Sequence, residues 1–116
     1  MKTLLVLKGA PYGTETTYNA LRLARALLKT EGGEVRVSLL GDGASAAHAG
    51  QKVPQGYYNV ADVLGMVVRH GGEVGVCGTC MDARGMSEAT LVEGARRGSM
   101  ESLSPWSQWA DKVLAF

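Results

Sequence analysis

The sequence predicts a three-layer α/β sandwich built around a mainly parallel sheet. Three observations predict it. Strand and helix patterns alternate along the chain, the order that gives parallel strands with helices packed on the faces. The first run, Thr3 to Leu7, is apolar without alternation, as in a strand buried on both faces. Val60, Val63, Leu64, Val67 and Val68 recur at helical spacing, giving an amphipathic helix.

The elements follow in order. After the first strand, Gly9-Ala10-Pro11-Tyr12-Gly13-Thr14-Glu15 is a loop that opens a helix. Ala20, Leu23, Ala24, Leu27 and Leu28 form its apolar stripe, with Arg22, Arg25 and Lys29 toward water. Gly32-Gly33 ends it. Val35 to Leu40 is the second strand, closed by Gly41-Asp42-Gly43. Leu39 and Leu40, like Leu4, Leu5 and Val6, leave no polar face, so both strands read as buried on two sides. Ala44 to Gly50 is a short helical stretch and Gln51 to Tyr58 a surface loop. Asn59 caps the next helix, with Asp62 near its positive end. Glu73 to Val76 is the third strand.

Beyond it, Ser87 caps a short helix through Val92, and Glu93 to Arg97 is a charged edge strand. Pro105 suits the first turn of a helix, so the last helix is expected to start near Ser102 to Ser104, with Trp106, Trp109 and Ala110 on its apolar face. Lys112 to Phe116 is a terminal strand.

The bulk properties narrow the function classes. A chain of 116 residues makes one domain, residues 1–116, large enough for a core without staples. A net charge of +1 gives no electrostatic footprint for nucleic acid or an anionic membrane. The apolar start is broken by Lys8, too early for a secretory signal, and no run is long enough to span a membrane. The expected setting is the cytoplasm, where two cysteines three apart do not form a structural disulfide.

Those cysteines lie in Cys77-Gly78-Thr79-Cys80-Met81-Asp82-Ala83-Arg84-Gly85. Cys77 falls at the carboxyl end of the third strand, where α/β sheets place ligands and chemistry. Gly78 allows a sharp turn that exposes amide N–H groups, and Arg84 adds a positive charge; both favour a thiolate at Cys77. The alternative is a small buried hydrophobe. Cys80 is either a resolving thiol or a passive loop residue. Zinc needs two more ligands, and His48 and His70 have no recognisable spacing to the pair. Gly9 to Gly13 has the look of a phosphate-cradling loop, but lacks the Lys-Ser/Thr of a P-loop and the third glycine of a dinucleotide fingerprint. It reads as a tight turn that still walls a cleft, because it leaves the same sheet edge as Cys77. Asp42, at the matching end of the second strand, is a turn carboxylate or part of that cleft.

Gly9-Ala10-Pro11-Tyr12-Gly13, Gly50-Gln51-Lys52, Cys77-x-x-Cys80-x-x-x-Arg84-Gly85 and Ala110-Asp111-Lys112-Val113-Leu114-x-Phe116, in this order over nearly the whole chain, resemble the YchN-like branch of the DsrE/DsrF family. The resemblance implies a five-stranded sheet of order 4-3-2-1-5 and a homo-oligomer, trimer or hexamer. Sulfur-transfer members carry a persulfide on a cysteine that Cys77 matches, with Gly85 eight residues on. Cys80 has no counterpart in the best-understood carriers. The implied activity is sulfur relay or related thiol chemistry with a protein donor or acceptor. Cys77, Cys80 and Arg84 would carry it, and Gly9, Tyr12, Gly13, Asp42 and Gly78 would line the site, with no metal or nucleotide cofactor. The rivals are a non-catalytic oligomeric binding protein of the same fold and a C-x-x-C dithiol oxidoreductase. Against the second, a thioredoxin-like protein puts its motif after the first strand, not the third.

Overall fold

The computed structural model describes all residues, 1–116. Five parallel strands form one sheet: β1 (Lys2–Leu7), β2 (Glu34–Leu39), β3 (Glu73–Cys77), β4 (Ala95–Gly98) and β5 (Lys112–Ala115). Their order is β4-β3-β2-β1-β5, as the resemblance implies. The α-helices are α1 (Thr16–Leu28), α2 (Val60–Arg69), α3 (Gly78–Asp82) and α4 (Met100–Trp109). A 3-10 segment, Gly41–Ala47, follows β2.

Alternation along each strand divides the sheet into two faces. Leu5, Leu7, Val35, Val37, Leu39, Val74 and Val76 belong to the main core, with Ala20, Leu21 and Ala24 of α1 and Val60, Leu64 and Val67 of α2. The other face carries Leu4, Arg36, Ser38, Glu73, Gly75 and Cys77, whose in-register neighbours on β4 include Arg96 and Gly98. Helix α4 lies over this face. The Arg36 guanidinium sits 4.1 Å from the Trp109 ring centroid and 5.4 Å from that of Trp106. The two-sided burial expected of the early strands holds at Leu4 and Leu5, whereas the second face of β2 is polar, with Ser38 buried and Arg36 half-buried.

Asn59 caps α2 through its side chain, accepting from the Asp62 N–H at 3.1 Å. Three expectations shift. The buried stripe of α1 is Thr17, Ala20, Leu21 and Ala24, while Leu23 is exposed and Arg25 half-buried. The Thr17 hydroxyl donates to the Gly9 carbonyl at 2.7 Å, turning this stripe toward the sheet. After Ser87 only a 3-10 turn forms, Glu88–Thr90, because Leu91 pairs with His48 and the Val92 N–H donates to the Ala47 carbonyl. Helix α4 starts at Met100, two residues ahead of the expected Ser102 to Ser104. Ser99 and Ser102 cap it reciprocally, with the Ser99 N–H donating to the Ser102 hydroxyl at 2.8 Å. Pro105 withholds one N–H from the carbonyl of Glu101, an exposed residue where water can replace it.

Candidate functional site

The site grows from the end of β3. Val74 and Val76 are pinned in the core, so alternation turns Cys77 to the opposite face. The chain then turns at once into α3, and Cys77 is its N-cap. Its sulfur accepts from the Cys80 N–H at 3.4 Å, and the Thr79 hydroxyl lies 3.4 Å away. The Cys80 thiol donates to it at 2.6 Å. The two side chains face each other across one turn, placed so that they can close into a disulfide. Burial pushes the Cys77 thiol up, but hydrogen bonds from the Cys80 thiol, the Thr79 hydroxyl and the two backbone N–H groups outweigh it and hold its pKa below the usual thiol value. Cys80 is held from behind: the Gly41 N–H, in a left-handed turn (φ 55°), donates to its sulfur at 3.2 Å.

Cys77 opens into a cleft of about 310 Å³ between α4 and the polar face of the sheet. Ser38, Gly75, Arg96, Ser99, Ser102 and Trp106 are among its walls. The outer edge of the Trp106 ring packs against Gly75, where an added Cβ would come within 3.2 Å of it.

The sequence-selected residues fall into two groups. Cys77, Gly78 and Cys80 are together on β3 and α3, with Arg84 just past the end of α3. Arg84, however, is engaged elsewhere, donating to Asp42 Oδ1 at 2.6 Å and to the Cys80 carbonyl at 3.0 Å. It braces α3 against the 3-10 segment. The guanidinium packed on the Cys77–Gly78 corner belongs to Arg97. An added Cβ on Gly78 would stand 2.6 Å from Arg97 Nε, so Gly78 serves to make room for this arginine rather than to turn the chain. Arg97 forks onto Asp82 at 2.8 and 2.9 Å. That pairing depresses the Asp82 pKa and raises that of Arg97, with a smaller contribution from Cys77.

Gly9, Tyr12, Gly13 and Asp42 do not line the Cys77 cleft. Tyr12 donates to Gln51 Oε1 at 2.6 Å and accepts from the Val60 N–H at 3.1 Å. Its ring joins those of Tyr57 and Tyr58, and Tyr18 stacks on Tyr58 at 4.1 Å. A hydrogen bond with Tyr57 heads the causes that push Tyr58 up to about 12. The Gly9 loop is thus tied to the middle loop and the start of α2. At Gly9 a side chain would overlap the Thr16 hydroxyl. Sequence reasoning missed Arg97, Ser38 and Trp106 as neighbours of the thiol. The signal for Arg97 lay in the edge-strand reading: parallel register sets Val76 beside Arg97 and Cys77 beside Gly98.

No three metal-ligating side chains converge anywhere in the chain. No helix is long and apolar enough to cross a membrane.

Known proteins are similar to this chain in sequence and fold. The chain is 40% identical to Protein YchN of Escherichia coli (strain K12) over 116 residues, covering 99% of this chain and 98% of that one. It is 38% identical to the uncharacterised protein MJ0989 of Methanocaldococcus jannaschii, over the full length of both. The crystal structure of the ychN protein from E. coli superposes with a TM-score of 0.90 at 37% identity, covering 100% of each chain. The model of the DsrE/DsrF-like family matches residues 1–116, and the chain belongs to that family.

Proposed function

We propose that this protein is a sulfur-relay protein in which Cys77 carries a sulfane sulfur as a persulfide and Cys80 is the resolving thiol. The observation that carries the reading is the Cys77 sulfur itself. It accepts the Cys80 thiol at 2.6 Å, has its pKa lowered, and faces an open cleft. A low-pKa, accessible thiolate is what attack on a sulfane sulfur requires.

The chemistry balances with no added oxidant. The Cys77 thiolate attacks the terminal sulfur of a donor R–S–SH. The donor S–S bond breaks, R–S⁻ leaves with the electron pair, and Cys77–S–SH forms. An acceptor thiolate can take the terminal sulfur in the same way and return Cys77 as thiolate. Alternatively, the Cys80 thiolate attacks Cys77 Sγ, hydrosulfide leaves, and a Cys77–Cys80 disulfide remains for a cellular dithiol to reduce.

The sulfur–sulfur approach favours a second reading, dithiol oxidoreduction, in which the same disulfide forms without a persulfide. A non-catalytic binding protein would need neither the approach nor the lowered pKa. We assign the protein to the cytoplasm, because a thiol pair that works through a thiolate needs a reducing compartment. We further infer a homo-oligomer with protein partners for sulfur exchange. Helix α4 has no fully buried residue, and Val113 on edge strand β5 is 49% exposed, leaving apolar surface for a second copy.

Mass spectrometry of the reduced protein after incubation with a cysteine desulfurase and cysteine tests the relay. The expected product carries one added sulfur on Cys77, and Cys80→Ser prolongs its lifetime. A Cys77–Cys80 disulfide under oxidant, with no sulfur ever retained in Cys80→Ser, would favour the oxidoreductase. No modification under either condition would leave the binding protein.

A further inference from the structure

The cleft beside Cys77 has the features of a small-molecule pocket with two distinct ends. Its volume, about 310 Å³, lies near the lower end of the roughly 300–1,000 Å³ that takes small ligands. A tripeptide-sized compound fits. One end is Cys77. The other is Arg96, on the neighbouring strand and the same face, in register with Gly75. Two residues along a strand and one strand across separate the Cys77 and Arg96 backbones by roughly 8 Å. Between them Gly75 and Gly98 present no side chains, and Trp106 forms an apolar wall.

The polar groups at this end are short of partners. Arg96 is 77% exposed, and its nearest carboxylate oxygen, on Glu73, is 4.0 Å away. The other Glu73 oxygen is taken by Arg36 at 2.7 Å. Arg97 is already forked onto Asp82, so Arg96 is the cation left for a ligand. Ser38 is 6% exposed, lines the cleft, and its hydroxyl is engaged by no other group of the chain. A guanidinium with only one long ion pair suits a carboxylate, the Ser38 hydroxyl suits an amide or a second carboxylate oxygen, and the tryptophan wall suits a short aliphatic stem.

We propose that this cleft binds a low-molecular-weight thiol compound bearing a carboxylate, with its sulfur at Cys77 and its carboxylate on Arg96. The ligand's role rests on the relay reading: in persulfide form it is the donor R–S–SH, its S–S bond breaks, and the free thiolate R–S⁻ departs from the same pocket. Arg96 sets which donor is used and Cys77 performs the transfer.

Glutathione persulfide and inorganic polysulfide, which lacks a carboxylate, separate these roles. At sub-saturating donor, Arg96→Gln is expected to slow Cys77 loading from glutathione persulfide roughly five- to tenfold, with partial recovery in Arg96→Lys. Loading from polysulfide should stay within about twofold of the parent. Equal slowing with both donors, or with neither, would overturn the assignment of the pocket while leaving the relay intact. S-methylglutathione, which cannot transfer sulfur, provides the independent readout. Its titration should shift the Trp106 indole resonance, and Arg96→Gln should abolish the shift. If that binding is seen but neither donor loads Cys77, the pocket stands and the relay reading fails. If Trp106 does not respond, the pocket assignment fails whatever the loading.

Discussion

The two faces of the sheet are built from adjacent residues and differ in almost every property. Toward α1 and α2 the strands present Leu5, Leu7, Val35, Val37, Leu39, Val74 and Val76, all buried. Toward α4 they present Arg36, Ser38, Glu73, Gly75 and Cys77, and among the apolar side chains of that face only Leu4 is fully buried. One face supplies stability. The other leaves room, charge and a thiol. A single residue step along β3, from Val76 to Cys77, passes from one to the other, so the core fixes the backbone on which the thiol sits without enclosing it.

Substitutions on the two faces should give opposite signatures. The largest stability effect is expected at Leu64, fully buried against the core. Leu64→Ala should cost about 2–5 kcal/mol in urea denaturation. The half-buried Trp106, changed to Ala, should cost about 1–2 kcal/mol. Equal losses would break the comparison.

On the α4 face the largest effect should be on reactivity. Cys80→Ala removes the thiol that donates to Cys77. It should raise the Cys77 pKa and slow its alkylation at neutral pH about tenfold, with little change in unfolding free energy. Cys80→Ser, which keeps a donor, should recover part of the rate. Thr79→Val should act in the same direction by roughly twofold to fivefold.

Smaller still is the cap of α2. Asn59→Ala should lose about 1 kcal/mol of stability and leave the Cys77 pH profile unchanged. Last comes Arg84→Met. Because Arg84 is held by Asp42 and the Cys80 carbonyl, it should move the Cys77 profile less than Arg97→Met does, and the latter shift should be upward.

The α1/α2 face was the legible one. Runs such as Leu4-Leu5-Val6 and the α2 periodicity report burial directly, and the Asn59 cap and the charged edge at Arg96-Arg97 follow from local chemistry. The α4 face was harder to read. The apolar letters of β2 suggested burial on both sides, yet Arg36 and Ser38 occupy alternate positions and face α4. The α4 start was placed two residues late because Pro105 is a local signal, whereas the Ser99–Ser102 box sets the first turn of the helix. At the site, Cys77 and Cys80 could be found because their spacing is short. Arg97 was harder to place there, because the edge-strand reading puts it beside Cys77 only once the parallel register, Val76 beside Arg97 and Cys77 beside Gly98, is known. Arg84 looked suitable from its spacing, but its side chain has a carboxylate within reach at Asp42, 42 residues away.

The most direct test of the account is a site-resolved alkylation profile of the reduced protein across pH, read by peptide mass spectrometry. The account predicts that Cys77 is modified before Cys80 and that its rate rises through an inflection below the ordinary thiol range, because its hydrogen bonds favour the thiolate. Slow and equal labelling of both cysteines, with Cys77 inflecting at or above the ordinary range, would contradict it and make Cys77 a structural residue at the end of a strand.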